Sequence, residues 1–196
     1  MNRISFVKTI IAKSDYKEKE KMGDIYLIHF DPTEKEGMNA YECVECSVSV
    51  ADYNAEEVKA EYADWKTKHD AAELAYAIRS KVAEIEAYDT SDKVNGFILN
   101  GMTVWLDKAT RVGLMNSTTI AKTAGQETTT LWLGDVKLEV ECDKAIQLLS
   151  ALEMYALECF NVTAAHKAAV AELKTIKDVE AFDVTADYPK KLEMKL

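Results

Sequence analysis

Residues 142–174, CDKAIQLLSALEMYALECFNVTAAHKAAVAELK, form the longest stretch of the chain with one unbroken apolar stripe and no proline or glycine. Leu148, Leu152, Tyr155, Cys159, Val162, His166, Ala169 and Leu173 recur in steps of four and three, which stacks them on one face of an α-helix. Ala, Leu, Glu and Lys fill most other positions, so propensity agrees with pattern, and Asp143 is placed to cap the first turn. At about 1.5 Å per residue the helix is on the order of 45 Å long, more than a small core covers. Its seam calls for a long partner.

A second helix of matching length starts after Asn54-Ala-Glu-Glu57, which has the spacing of a capping box. Its stripe runs Val58, Tyr62, Trp65, His69, Ala72, Ala75, Ile78, Val82, Ile85, with extra steps of three in the middle that would overwind a two-helix seam or shift its contact face. The two helices are expected to pair lengthwise, within one molecule or between copies. Glu84-Ile-Glu-Ala-Tyr-Asp89, at the end of the earlier helix, is echoed by Asp178-Val-Glu-Ala-Phe-Asp183 beyond the later one. The echo suggests an aromatic that folds back to close each helix end.

Upstream, residues 2–12 read as a strand, Lys13–Lys21 as a solvated loop, and IYLIHF at 25–30 as a strand ended by Asp31-Pro32. YECVECSVSV at 41–50 alternates with period two and makes a third strand. Between the helices, GFILNGMTVWL holds Asn100-Gly101, the pair suited to a type I′ hairpin turn. Asp107 then caps a short helix stopped at Gly125, and TTTLWL, a Gly134-Asp135 turn and VKLEVEC make a second hairpin. The tail after Asp183 reads as irregular or as a last edge strand. The fold class is therefore α+β: a small N-terminal antiparallel meander (1–52), a long connecting helix (53–90), and a C-terminal domain (91–196) of hairpin, helix, hairpin, long helix and tail.

With 24 basic against 34 acidic residues the net charge is −10, and arginine occurs only at Arg3, Arg79 and Arg111. A phosphate-gripping surface has little to draw on, so nucleic acid is not an expected partner. No run approaches the roughly 18 apolar residues of a membrane span, and the first residues lack a secretory pattern. A soluble protein made in a cytoplasm is expected.

Cys43-Val-Glu-Cys46 is the one motif with a reactive look, since paired thiolates bind zinc or form redox disulfides. No second close ligand pair accompanies it, and strand alternation puts the two on opposite faces. Buried free thiols are the expectation, with a thiol or zinc enzyme as the competing one. His69 and His166 lie on the helix seams, as interface side chains or as a metal or pH-sensing pair. His29 has no carboxylate nearby in sequence. Trp105 and Trp132 hold comparable places in the two hairpins, as core anchors or contact residues. Trp65, His69, Trp105, Trp132, Tyr155 and His166 are the candidate protein-interaction residues. No catalytic residue, metal or cofactor is expected.

Asn95-Gly-Phe97, Asn100-Gly101, Val104-Trp-Leu-Asp-Lys108, Thr110-Arg111 and Thr129-Thr-Leu-Trp132, followed by the long helix, resemble a domain of unknown function found in proteins of tailed bacteriophages and prophages of gut bacteria. The likeness covers roughly residues 74–189 and leaves the first 52 without a counterpart. What it implies is a non-enzymatic structural protein of the virion, in the tail or its fibre attachment, that contacts other phage structural proteins; the long helices are then expected to serve assembly with copies of itself or with those neighbours. It would act in the host cytoplasm during assembly and then in the virion. The alternative it implies is a tail-fibre assembly chaperone absent from the mature particle.

Overall fold

The computed structural model describes residues 4–134 and 136–195. The chain divides into two units, Met1–Glu73 and Leu74–Leu196. In the first, β1 (Phe6–Ala12), β2 (Lys19–Met22), β3 (Ile25–Glu34) and β4 (Ala40–Ser49) form one antiparallel sheet in the order β1-β4-β3-β2. Three hairpin-linked strands with the remaining one returned beside the far end make a Greek key. Residues 2 and 3, expected at the start of β1, lie outside the described residues.

Two expectations change here. Residues 19–21, read as the end of a solvated loop, belong with Met22 to a short edge strand, and its charges are what an exposed edge carries. Asp31-Pro32 does not end β3. Asp31 takes φ 50° and forms a bulge between Phe30 and Thr33, so the ladder resumes at Thr33 opposite Glu42.

α1 (Ala55–Asp89) is capped by Asn54, whose side-chain oxygen accepts from the Glu56 N–H at 3.1 Å. Up to Glu73 it belongs to the first unit, where Val58 joins Ile28, Cys46 and Val48 in the core. Tyr62 stacks on Phe30 at 4.0 Å and, with Trp65, meets Phe6. From Leu74 it belongs to the second unit, where Ile78, Val82, Ile85 and Tyr88 pack with Val170, Leu173, Phe182 and Val184. Ala72 and Ala75, between these stretches, are exposed. Within the chain the two long helices do not pair along their length: the first half of the α1 stripe serves the sheet, and its last turns pack against the far end of the second long helix.

The second unit holds β5 (Phe97–Leu99), β6 (Met102–Val104), α2 (Lys108–Thr123), β7 (Thr128–Leu133), β8 (Val136–Glu141), α3 (Cys142–Ala171), α4 (Ile176–Glu180) and β9 (Glu193–Met194). Asn100 and Gly101 take φ 49° and 83°, as a type I′ turn needs, and β9 closes the tail by pairing parallel to β5. Asp107 caps α2 by accepting from the Thr110 N–H at 2.9 Å. Leu133 pairs with Val136 as the second hairpin requires, although Asp135 of its turn lies outside the described residues. Phe97, Leu99, Leu131, Leu133, Leu149 and Leu152 are fully enclosed in one core.

α3 begins at Cys142 without a side-chain cap, and Asp143 lies inside the first turn as a charge pair to Lys122 rather than as the cap. Its buried side runs Leu148, Leu152, Tyr155, Cys159, Thr163, His166, Val170. Val162 is only half-buried and Ala169 is exposed, so the seam drifts from the heptad reading. A helix at 3.6 residues per turn that lies on a layered core keeps its own period; only a supercoiling partner holds it to 3.5. Among the described residues no helix is long and apolar enough to cross a membrane.

Candidate functional site

β6 leads through Trp105 and Leu106 directly into the Asp107 cap, so the first turn of α2 and the hairpin share one corner. Arg111, one turn into α2, is 6% exposed. A buried guanidinium must spend its donors. Its Nε donates to the Glu153 carboxylate at 2.7 Å, its Nη1 donates to the Leu106 carbonyl at 2.7 Å, and its Cζ lies 5.2 Å from the centre of the Trp105 ring. Beside this clamp opens a groove of about 430 Å³, with Trp105, Lys108 and Arg111 on one wall and Glu153, Leu157 and Phe160 of α3 on the other.

The α3 wall continues as an apolar ridge. Met154 is 58%, Leu157 48% and Phe160 65% exposed, in steps of three along the side opposite the core. Asp89 and Asp107 add negative charge at the margin. The arrangement is a cleft with aromatic and aliphatic anchors, an immobilised cation and a mixed-charge rim. It can grip an apolar segment that carries polar ends.

The other nominated residues fall elsewhere. Tyr155 is buried and donates to the Val94 carbonyl at 3.2 Å; burial pushes its hydroxyl pKa up. His166 is buried against Phe182 and Tyr188, at 5.3 and 5.5 Å between ring centres, with Nδ1 unpartnered. Between them Thr163 links Asp89 (2.6 Å) and Tyr188 (2.7 Å), so the chain's return is tied to both helices from inside. Tyr155 and His166 are therefore interior groups. Trp132, 57% exposed on β7, is not among the side chains lining the groove. The echoed hexapeptides share a structural part: Ile85 and Val179 are both enclosed, and Tyr88 and Phe182 pack in one cluster.

In the first unit, Trp65 and His69 stack at 4.7 Å and Tyr62 donates to Asp31 at 2.8 Å, beside Lys66 at 3.0 Å. The Tyr62 hydroxyl first, then the Lys66 ammonium, hold the Asp31 carboxyl below its ordinary pKa. A carboxyl depressed in the folded state stabilises at pH above its unfolded pKa, and that contribution is lost as pH falls through the folded value. Tyr62→Phe is expected to move the Asp31 titration upward in a carboxyl NMR experiment and to raise the pH of acid unfolding of this unit. An unmoved titration would assign the depression to Lys66 alone.

Cys43 and Cys46 are both buried on opposite faces of β4. Desolvation, then the Glu45 charge, raises both thiols, Cys46 to about 11. Such groups are poor thiolates near neutrality. Among the described residues no group of three or more His, Cys, Asp and Glu could hold a metal ion. His29, which lacks a carboxylate nearby in sequence, finds one across the sheet: Nε2 lies 3.0 Å from Glu45 and Nδ1 donates to the Lys17 carbonyl.

Sequence reasoning singled out Trp105 but not the groove around it. Arg111 enters there only as a rare arginine in a quoted motif, and Glu153, Leu157 and Phe160 not at all. One signal was present: Met154, Leu157 and Phe160 lie off the seam of an otherwise amphipathic helix.

Neither the curated proteins nor the solved structures give a match to this chain. A family model described as a domain of unknown function, DUF4376, matches residues 76–186. That span is more than half of the chain and includes the whole groove and both of its walls, so the protein belongs to the DUF4376 family.

Proposed function

We propose that this protein is a non-enzymatic structural component of a bacteriophage virion, associated with the tail or its fibres, and that it works by docking other phage structural proteins onto the groove of its second unit. The phage context rests on the motif resemblance around Asn100-Gly101 and Val104–Lys108. The observation that carries the docking reading is the ridge of Met154, Leu157 and Phe160 beside the Trp105–Arg111 clamp. Contiguous apolar side chains at the lip of a cleft are costly to leave in water and are characteristic of protein contact sites. The raised thiols of Cys43 and Cys46 speak against the thiol-enzyme reading. In this reading the protein acts in the host cytoplasm during assembly and then in the particle.

Peptide mass spectrometry of purified particles tests it. Stoichiometric recovery is expected, together with its loss from particles made with Phe160→Ser, a variant that should fold because the ring is already in solvent. Recovery from infected lysate but never from particles would replace this reading with that of an assembly chaperone.

A further inference from the structure

The two edges of the N-terminal sheet are built differently. β2 presents four residues, three of them charged, which is how natural sheets discourage further pairing. β1 presents seven, FVKTIIA, with Val7 59% and Ile10 51% exposed and Lys8 as its single charge. Among the described residues no strand pairs with its outer side.

The phase of that edge can be read from one bond. Lys13 N–H donates to the Asn39 carbonyl at 3.0 Å, one step beyond the β1–β4 ladder. Main-chain groups alternate along an antiparallel strand, so Val7, Thr9 and Ile11 turn theirs toward β4, while Phe6, Lys8, Ile10 and Ala12 turn theirs outward. The Ala12 carbonyl already accepts from the Asp15 and Tyr16 N–H groups, which leaves Lys8 and Ile10 as the open centre.

We infer that β1 pairs antiparallel with β1 of a second copy about a two-fold axis at Thr9, joining the two sheets edge to edge. This register sets Lys8 opposite Ile10 of the second copy, and Ile10 opposite its Lys8, so the outward groups exchange paired backbone hydrogen bonds. Thr9 faces Thr9 and Val7 faces Ile11 in the closer, non-hydrogen-bonded sites, on the face opposite α1. The lysine stem covers the exposed Ile10, and Val7 gains an aliphatic neighbour. Charge fits a second copy as well. The chain carries −10 overall, yet no carboxylate lies on this strand, and each Lys8 meets an isoleucine rather than a like charge. The surface buried is at the small end of specific interfaces, so association should be weak and concentration-dependent. This inference does not depend on the proposed function.

Light scattering of the full chain over a dilution series, with two variants, tests it. The mass is expected to rise from that of a monomer, 21.9 kDa, toward twice that value. Ile10→Lys should stay monomeric at every concentration, because it puts lysine opposite Lys8 twice; within the chain it faces Glu42 on β4, so the fold is retained and circular dichroism is unchanged. Thr9→Cys in a Cys43→Ala background should form a disulfide-linked dimer on mild oxidation, since directly opposed residues at such a site are within bridging distance; Cys43 is removed because it faces position 9 across the β1–β4 ladder, and the other three native cysteines are buried. A monomer at all concentrations with no cross-link through Thr9→Cys overturns the inference, and so does a dimer that Ile10→Lys leaves intact.

Discussion

Arg111→Ala is expected to cost the second unit about 2–4 kcal/mol, far more than surface substitutions do. The guanidinium is buried and makes three distinct contacts. Hydrogen bonds involving a charged group contribute roughly 1.5–3 kcal/mol, and a partly desolvated cation over an indole adds about 0.5–2 kcal/mol. Removing it leaves the Leu106 carbonyl without its donor and takes the packing surface from Trp105. Glu153 is different because its side chain is 46% exposed, so water can replace its partner. Glu153→Gln keeps an acceptor for the Nε donor and should cost about 1 kcal/mol or less. Denaturant unfolding followed by tryptophan emission measures both, with Trp105 as a local reporter. Equal losses in the two variants would mean that net charge, and not hydrogen bonding and packing, holds this corner.

Phe97→Ala is expected to be the most damaging single change, about 3–5 kcal/mol. Phe97 is fully enclosed on β5 opposite Val104, against the leucines of β7 and α3. A cavity there cannot be filled by rotation of neighbours that are themselves fully buried. Loss should be confined to the second unit, because the aromatic cluster of Phe6, Phe30, Tyr62 and Trp65 is a separate core. Two unfolding transitions, one shifted and one unmoved, are the expected record. A single transition that shifts as a whole would show that the units unfold as one. The same residue type at position 160 predicts the opposite result: Phe160→Ala, from a 65% exposed site, should change stability by no more than about 0.5 kcal/mol.

These two phenylalanines mark how far the chain can be read before it folds. Asn100-Gly101 announces its hairpin because few other pairs take positive φ at both positions, and Asp107 announces α2 because its carboxylate satisfies an N–H that the helix leaves open. In each case the information is local, a residue type meeting a backbone requirement within four positions.

The amino-acid sequence by itself determined the α+β class, the two long helices, the two hairpins and the alternation that sets Cys43 and Cys46 on opposite faces of one strand. The tertiary structure decided which partner each stripe meets: α1 divided between two cores, β1 returned beside β4, His29 set against Glu45, and Arg111 sunk beneath Trp105 to form one wall of the groove. The physical reason is range. Periodicity and capping are set by neighbours three or four residues apart, whereas the burial of Arg111 depends on Glu153, which only the packing of α2 on α3 brings within hydrogen-bonding distance.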